Sequence, residues 1–328
     1  MVMKKKVSII IPIYNVVDYL ETTIKSALNQ TFSNIEIVLV DDGSSDGSER
    51  ICDTFAEQDE RIVVIHKKNG GVADARNTGL EESSGDYIYF LDSDDLMVDN
   101  AIELLLLGCE ENDAPIAVAS NIRFKGAPPV LTAKNITFEC FDTEEAMRRM
   151  LGNMGYSHDL WNKLYQRDLW EGIRFQSGKI YEDLDTTYKV IAKADKIVYI
   201  NEDLYLYRVH SGSIMRSPIT DRNIDLLDIS DRTTDEIIKM YPALSEYALS
   251  LKAKTYLKLM KNILDTGFNI YLSAQERILT YIRKESNILL HSSVVSTKDK
   301  IKVKALCVNK KAFYCVYRFG DLLNHKID

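Results

Sequence analysis

The chain has 328 residues, of which 45% are hydrophobic and 27% are charged, as is usual for a soluble globular protein. Its net charge of −8 argues against general nucleic-acid binding, which favours basic surfaces. The five cysteines are scattered without a C-x-x-C pair, and no apolar run is long enough to span a membrane. We therefore expect a cytoplasmic protein with reduced thiols that is either soluble or peripheral on the inner face of the membrane.

Short apolar runs alternate with helical patterns through the first 120 residues. The predicted strands are Val7–Ile11, Ile35–Val40, Ile62–His66, Tyr87–Leu91 and Ile116–Ser120. Pro12 lacks a backbone donor and is expected to end the first strand. Strands that alternate with helices predict an α/β fold with a doubly wound, mostly parallel sheet.

Two common nucleotide-binding motifs are missing from this α/β pattern. A dinucleotide-binding domain needs G-x-G-x-x-G directly after its first strand, where this chain has PIYN. A Walker A loop is also absent from the sequence. A nucleotide must therefore be held in another way.

The stretch YIYFLDSDD, residues 87–95, is the strongest chemical signal in the chain. An apolar strand runs directly into Asp92, Asp94 and Asp95, and carboxylates this close repel one another unless a cation lies between them. Ligands bind at the carboxyl ends of strands in open α/β sheets. Mg²⁺ or Mn²⁺, which also hold substrate phosphates, are the expected cations. The alternative is an acidic surface turn followed by a helix cap.

Three other loops follow predicted strands and end at the same edge of the sheet. Tyr14 offers a ring for a base to stack on, Asp42 offers a carboxylate for a base or ribose, and the glycine-rich loop 69–79 carries Arg76. A guanidinium beside a helix start suits a diphosphate or a pyrimidine. The structural alternatives are a core position for Tyr14 and a pair between Arg76 and Asp74.

Four motifs, in this order and spacing, carry a family resemblance: VSIIIPIYN, VDDGSSDGS, NGGVADARNTG and YIYFLDSDD. Residues 5–210 resemble the family 2 glycosyltransferases with the GT-A fold, which are inverting enzymes that use nucleotide sugars. The resemblance implies that Asp94 and Asp92 form the metal-binding D-x-D pair, with Asp92 nearer the ribose and Asp95 behind them. The nucleotide-sugar pocket that it implies contains Pro12, Tyr14, Asn15, Asp42, Arg76, Asn77, Asp92, Ser93 and Arg208.

The acceptor half of the predicted catalytic domain begins near residue 121. Residues 126–153 are poorly patterned and resemble a variable insertion, and a helix is predicted at 185–194. Glu182 and Asp183 precede that helix, where a carboxylate can serve as a cap, and capping is the alternative for Glu182. The pair resembles the family's "ED" motif, whose Asp is the general base; both residues are therefore predicted to be catalytic.

The segment YLYRVHSGSIM, residues 205–215, closes this half. It resembles a late family motif in which Arg208 or His210 reaches the diphosphate or completes the metal shell. A lone histidine is more often structural. The other histidines, His66, His158, His291 and His325, have no comparable context in the sequence.

Helical patterns replace strand patterns after Pro218. We predict a catalytic domain at 1–217, with its nucleotide-sugar half at 1–120, and a region of two to four helices at 218–328. The segment 298–328 contains eight Lys or Arg and three Asp, a net charge of +5, whereas the rest of the chain carries −13. This amphipathic tail suits either an anionic membrane or a solvated face of a homodimer.

Together these patterns predict a metal-dependent, inverting glycosyltransferase with Mn²⁺ or Mg²⁺ as its cofactor. Its donor would be a UDP-sugar, and its acceptor a hydroxyl of a surface polysaccharide, such as a bacterial capsule, or of a lipid-linked oligosaccharide. One alternative is a nucleotide-sugar-binding scaffold without catalysis. A sugar nucleotidyltransferase would need a glycine-rich basic loop after the first strand, which PIYN does not provide. A D-x-D phosphatase would carry its pair after the first strand rather than the fourth.

Overall fold

The structure, a computed structural model, describes residues 5–131, 135–210 and 219–324, with side chains up to residue 320. The chain divides into two compact units, Met1–Ser213 and Ile214–Asp328. The first unit is an α/β layer structure and the second is helical. The predicted α/β fold with a C-terminal helical region is therefore confirmed.

A sheet of nine described strands forms the centre of the first unit, in the order β3-β2-β1-β4-β8-β6-β9-β5, with β7 paired to β9. The strands are β1 Val7–Ile13, β2 Ile35–Asp41, β3 Ile62–His66, β4 Tyr87–Phe90, β5 Leu96–Met97, β6 Ile116–Phe124, β7 Phe138–Asp142, β8 Lys163–Gln166 and β9 Lys196–Arg208. Strands β1 to β4 are parallel, so their carboxyl ends meet at one edge. Strand β8 is antiparallel to both of its neighbours, which makes the complete sheet mixed.

The apolar runs form strands because both faces of this sheet are covered. Every residue of β1 and β2 is buried, as expected for parallel strands between helical layers. Pro12 does not end β1, which continues to Ile13; this expectation was wrong. Strand β4 reaches only as far as Phe90, opposite Ile10, so β1 has no β4 partner at Pro12. The missing N–H therefore breaks no ladder bond there.

Several elements of the acceptor half were not predicted. Residues 126–153, expected to be a variable loop, include β7 and a helix. Strand β7 is an edge strand whose pairing with β9 joins residues about 60 positions apart. Such long-range pairing leaves little periodic signal in the local sequence.

Helices cover the sheet of the first unit and connect its strands. They are α1 Val17–Leu28, α2 Ser48–Gln58, α3 Val72–Glu82, α4 Ala101–Asn112, α5 Thr143–Gly152 and α6 Glu182–Ile191. Helix α6 begins at Glu182, three residues earlier than predicted, so Glu182 and Asp183 form its first turn. Tyr181 precedes the helix with a φ of 67°, which turns the chain sharply into it.

Glu36 anchors the end of β2 that lies away from the carboxyl edge. It is 7% exposed and accepts hydrogen bonds from Lys6 Nζ at 2.5 Å, Ser8 Oγ at 2.6 Å and Ser84 N at 2.5 Å. Burial alone would raise the pKa of Glu36, but these donors outweigh it and lower the pKa to about 2. The folded protein therefore stabilises the ionised carboxylate of Glu36.

We expect Glu36→Gln to lower the free energy of unfolding by about 2 kcal/mol at neutral pH. Because the folded pKa lies below the ordinary value of 4.5, this contribution is present above pH 4.5 and is lost as the pH falls towards 2. Denaturant unfolding at several pH values measures it. Equal stability of the two proteins at neutral pH, or a gap that widens in acid, would contradict the assignment.

The second unit contains five helices in its described part, more than the two to four predicted. They are α7 Asp221–Met240, α8 Ser245–Thr266, α9 Leu272–His291, α10 Thr297–Val308 and α11 Lys310–Asn324. Eight apolar residues of this region fall on helix-like spacings in the sequence. Leu227, Ile237, Tyr256, Leu259 and Ile263 are buried, whereas Ile224, Ile238 and Leu251 are only partly buried. Among the described residues, no helix combines the length and the apolar character required to span a bilayer.

Candidate functional site

The carboxyl ends of β1, β2 and β4 place three predicted loops side by side. Strand β1 lies between β2 and β4, so the loops after Ile13, Asp41 and Phe90 leave the sheet together. Thr23 on α1 fixes the loop after β4, because its hydroxyl donates to the carbonyl oxygens of Ser93 at 3.0 Å and Asp95 at 2.8 Å. Ser93 itself is 8% exposed.

Asp42 organises the glycine-rich loop. Its carboxylate accepts from the backbone N–H of Gly70 at 2.9 Å and of Gly71 at 2.7 Å, and from Lys67 Nζ at 2.9 Å. Gly71 has a φ of 90°, a conformation that favours glycine. Asp42 is only 2% exposed, so this predicted nucleotide-binding residue also supports the neighbouring glycine-rich loop.

The loop after β1 presents Tyr14 at the surface. Tyr14 is 52% exposed, which rules out the alternative of a core position. Asn15 adopts a φ of 50° and bridges two loops: its backbone N–H donates to Ser44 Oγ at 3.1 Å, and its Oδ1 accepts from the N–H of Ser45 at 2.9 Å. Asn15 therefore holds the neighbouring loops in register.

Arg76 lies between the D-x-D pair and the start of α6. Its Nη2 donates to Asp92 Oδ1 at 2.7 Å and its Nη1 donates to Glu182 Oε1. Arg76 is 5% exposed, and the expected alternative of a pair with Asp74 is not formed; Asp74 accepts from Lys67 instead. Burial alone would lower the pKa of Arg76, but the carboxylates raise it, so the guanidinium stays charged.

Asn77 makes a second link in the same direction. Its side-chain amide donates to the carbonyl oxygen of Phe175 and accepts from the N–H of Phe175, both at 2.9 Å. The side chains of Arg76 and Asn77, expected to line the nucleotide pocket, are thus bonded to residues of the predicted acceptor half. Their hydrogen bonds join the two predicted halves of the first unit.

Asp94, a metal ligand according to the family resemblance, lies beside His210, one of the two residues that the resemblance places at the diphosphate or the metal. His210 Nε2 lies 2.8 Å from Asp94 Oδ2, and the imidazole packs against the ring of Tyr19 with centroids 4.4 Å apart. Both side chains keep partial exposure, at 27% for Asp94 and 14% for His210. Neighbouring ligands of an octahedral ion with bonds of about 2.1 Å are separated by roughly 3 Å, so this spacing suits two ligands of one cation.

Asp95 lies behind this pair and joins it to β9. Its Oδ2 accepts from Tyr205 Oη at 2.6 Å and its Oδ1 accepts from the N–H of Arg208 at 2.7 Å. Burial, and then the carboxylates of Asp92 and Asp94, raise the pKa of Asp95 to about 8. This concentration of negative charge fits a site that takes up a cation.

Arg208 is held at the back of the same loop. Its Nε donates to the carbonyl oxygen of Asp94 at 2.7 Å, and its guanidinium lies 5.2 Å from the centroid of Tyr19 and 5.0 Å from that of Phe124. These contacts fix the backbone of Asp94. Arg208 therefore helps to position the loop that carries the D-x-D motif. The sequence did not indicate this role.

Asp183 in the first turn of α6 has two neighbours that the sequence did not single out. Its Oδ2 lies 3.9 Å from His158 Nε2. One possible metal-ligand atom from each of His158, Asp159 and Asp183 lies within 4.8 Å of the other two. Asp183 Oδ1 accepts from the N–H of Leu184 at 2.7 Å, and its side chain is 26% exposed. The carboxylate is therefore fixed by its helix and accessible to solvent.

Lys163 lies beneath this cluster and is completely buried. Its ammonium donates to the carbonyl oxygen of Asp159 at 2.6 Å and to Asn162 Oδ1 at 2.9 Å. Burial lowers its pKa to about 8, although the carboxylates of Asp159 and Asp183 act in the opposite direction. The buried ammonium of Lys163 therefore interacts electrostatically with the carboxylates of this cluster.

Glycosyl transferase family 2 is the family whose model matches the chain, over residues 8–178. Glycosyltransferase GlyG of Streptococcus pneumoniae is 37% identical over 66% of this chain and 74% of its own length. Glycosyltransferase GlyA of the same organism is 30% identical over 97% of this chain, which spans about half (48%) of GlyA.

A solved structure extends the comparison to the fold. Residues 1–349 of TarS from S. aureus, in complex with UDP-GlcNAc, superpose with a TM-score of 0.68 at 18% identity, covering 96% of this chain and 92% of TarS 1–349. At this identity the likeness establishes the GT-A fold. The chain therefore belongs to glycosyl transferase family 2 and is a glycosyltransferase with the GT-A fold.

Proposed function

We propose that the protein transfers one sugar from a UDP-sugar to a hydroxyl of a surface polysaccharide or a lipid-linked oligosaccharide, with inversion at the anomeric carbon. The observation that carries the proposal is the bridge through Arg76, which joins Asp92 of the D-x-D motif to Glu182, next to Asp183. It connects a predicted donor site to a predicted base. The UDP-GlcNAc bound to the structural neighbour TarS supports a nucleotide-sugar donor.

The uridine site in this proposal consists of Pro12, Tyr14 and Asp42. The ring of Tyr14 is exposed enough to stack on a base. An ionised carboxylate has about four acceptor positions, and Lys67, Gly70 and Gly71 occupy three of those on Asp42. The remaining capacity suits a donor such as the N–H of uracil.

The cation site in this proposal consists of Asp94 and His210, with Asp92 at its side. Carboxylate and imidazole donors suit Mn²⁺, and carboxylates with water suit Mg²⁺. When bound, the divalent cation would neutralise the charge that develops on the departing diphosphate. Arg208 keeps the Asp94 backbone in place, and Tyr205 holds the side-chain carboxylate of Asp95.

Asp183 is the general base of the proposed reaction. It would take the proton of the acceptor hydroxyl while that oxygen attacks the anomeric carbon from the side opposite the diphosphate. A single displacement of this kind inverts the configuration and needs no covalent nucleophile. Glu182 is bonded to Arg76 and is therefore assigned to hold α6 in place rather than to accept a proton.

A panel of UDP-sugars tests this function. We expect one or a few of them to yield UDP when a glycan acceptor is added, and NMR of the product to show an inverted anomeric configuration. Retention of configuration would overturn the mechanism. Turnover with another nucleotide's sugars alone would overturn the donor class.

Asp94→Ala should remove the metal dependence of UDP binding. Asp94 Oδ2 and His210 Nε2 are the two proposed metal-ligand atoms. We therefore expect the affinity for UDP in the presence of Mn²⁺ to fall at least tenfold, to the level found without metal. Titration calorimetry of UDP measures this change. Asp53→Asn is the control, since Asp53 is an exposed carboxylate bonded to His66. If the affinity of Asp94→Ala for UDP still depends on Mn²⁺ as in the unchanged protein, the metal is bound by other residues.

A further inference from the structure

The last two helices of the second unit are held to it by their inner sides. Val303 and Leu306 of α10 and Phe313 of α11 are fully buried. Lys310 Nζ donates to Gln275 Oε1 at 2.7 Å and Tyr314 Oη donates to Asp265 Oδ1 at 2.9 Å, both on neighbouring helices. The opposite sides of α10 and α11 therefore face away from their own unit.

Those outward sides carry two stripes with helical spacing, which we call the basic stripes. The stripe on α10 contains Lys298, Ile301, Lys304 and Val308, and the stripe on α11 contains Lys311, Cys315, Arg318 and Phe319. Successive members are one, three or four positions apart, so each set lies along one face of its helix. Ile301 is 50% exposed, Val308 is 71% exposed and Phe319 is 65% exposed.

The charged residues on the stripes are all of one sign. The basic stripes contain four cations and no carboxylate. Asp299 of α10 is bonded to Ser296 at 2.7 Å and to Lys302 at 3.1 Å, which both lie off the stripes. The segment from Lys298 onward has a net charge of +5, and the residues before it carry −13. The segment with a net positive charge thus also contains the exposed apolar side chains of the basic stripes.

We propose that the basic stripes are an interfacial docking surface for a membrane rich in anionic lipid. Large apolar side chains interleaved with cations enter the headgroup region, where each basic residue is attracted by lipid charge. A symmetric contact between two copies would bring four cations against the same four, and this repulsion disfavours a homodimer through this surface. The inference goes beyond the proposed function, and nucleotide binding does not depend on it.

Vesicle binding of the full chain tests the proposal. We expect binding to phosphatidylcholine vesicles only when phosphatidylglycerol is included, and release at high salt. Exchanging Lys298, Lys304 and Lys311 for Gln should weaken partitioning roughly 100-fold, because each cation contributes a several-fold gain. The matched control exchanges three exposed lysines elsewhere, Lys125, Lys239 and Lys284, for Gln and should change it little.

A fluorescent label distinguishes insertion of the basic stripes into the headgroup region from electrostatic binding at the membrane surface. Cys315 lies on the stripe and Cys140 is exposed in the first unit, whereas Cys52 and Cys109 are buried. An environment-sensitive fluorophore on Cys315, in a protein with Cys140 and Cys307 replaced by Ser, should shift to the blue on anionic vesicles. The same fluorophore on Cys140, with Cys307 and Cys315 replaced by Ser, should not shift.

Three results would overturn the proposal. The first is vesicle binding that is equal for the lysine variant and its control. The second is a Cys315 fluorophore that stays in water on bound vesicles. The third is a dimer in light scattering that the exchange of Ile301 and Phe319 for Ser dissolves, which would assign the stripes to a second copy. UDP titration of each variant should match the unchanged protein, so a failure here is distinct from a failure of the nucleotide site.

Discussion

Asp183→Asn should lower the rate of sugar transfer by about 10³-fold, because a positioned general base contributes roughly 10² to 10⁴. Asparagine keeps the shape of the side chain and the oxygen that accepts from the N–H of Leu184, so α6 should begin as before. UDP binding should be unchanged, since the carboxylate acts on the acceptor. Single-turnover kinetics with saturating donor, together with UDP titration, measure both quantities.

Asp159→Asn is the matched control for this prediction. Asp159 belongs to the same cluster as Asp183 and His158, so it changes the same local charge without removing the proposed base. We expect a loss of at most about tenfold. A loss of about 10³-fold in Asp159→Asn would contradict the assignment of Asp183 as the base. A normal transfer rate in Asp183→Asn would contradict it as well.

Replacing Arg76 with Met should lower the free energy of unfolding by about 3 to 5 kcal/mol. The change leaves Asp92 and Glu182 without their shared cation, and removal of one partner from a buried ion pair has this magnitude. Both tryptophans, Trp161 and Trp170, lie in the first unit, so denaturant unfolding followed by tryptophan fluorescence reports on that unit.

Arg149→Met gives the control for Arg76, because Arg149 also bonds two carboxylates in the first unit. Its partners Glu139 and Glu145 are 58% and 29% exposed, and we expect a loss of only about 1 kcal/mol. The double variant Arg76→Met with Glu182→Gln should be more stable than Arg76→Met alone, since one unpaired carboxylate is gone. Equal losses for the two arginines would show that Arg76 is not a buried bridge.

The fold of residues 1–120, the predicted nucleotide-sugar half, could be predicted from sequence for a physical reason. Strands β1, β2 and β4 are buried on both faces and therefore appear as continuous apolar runs, and acidic motifs lie at the carboxyl ends of β2 and β4. The mixed part of the sheet was not readable in the same way. Strand β9 pairs with β6, β7 and β5, and these pairings join distant positions without a local repeat.

The candidate site follows the same division. Sequence motifs identified Asp94, His210 and Asp183, but the partners of Arg76 lie 16 and 106 positions away and no local pattern reveals them. No sequence pattern indicated that Lys163 would be buried close enough to Asp159 and Asp183 to interact with them electrostatically. His158 had no sequence context at all. Spatial neighbours of this kind are determined by tertiary packing, which is why only the structure displays them.

Calorimetric titration of the unchanged protein with UDP and with GDP, each with and without Mn²⁺, tests the central claim most directly. The proposed uridine and cation sites predict that UDP binds in the presence of Mn²⁺ and that removal of the metal weakens this binding at least tenfold. They also predict that GDP does not bind. Binding of neither nucleotide under any condition would contradict the UDP-sugar donor and favour a scaffold role. Preference for GDP would contradict the assignment of Tyr14 and Asp42 to uridine.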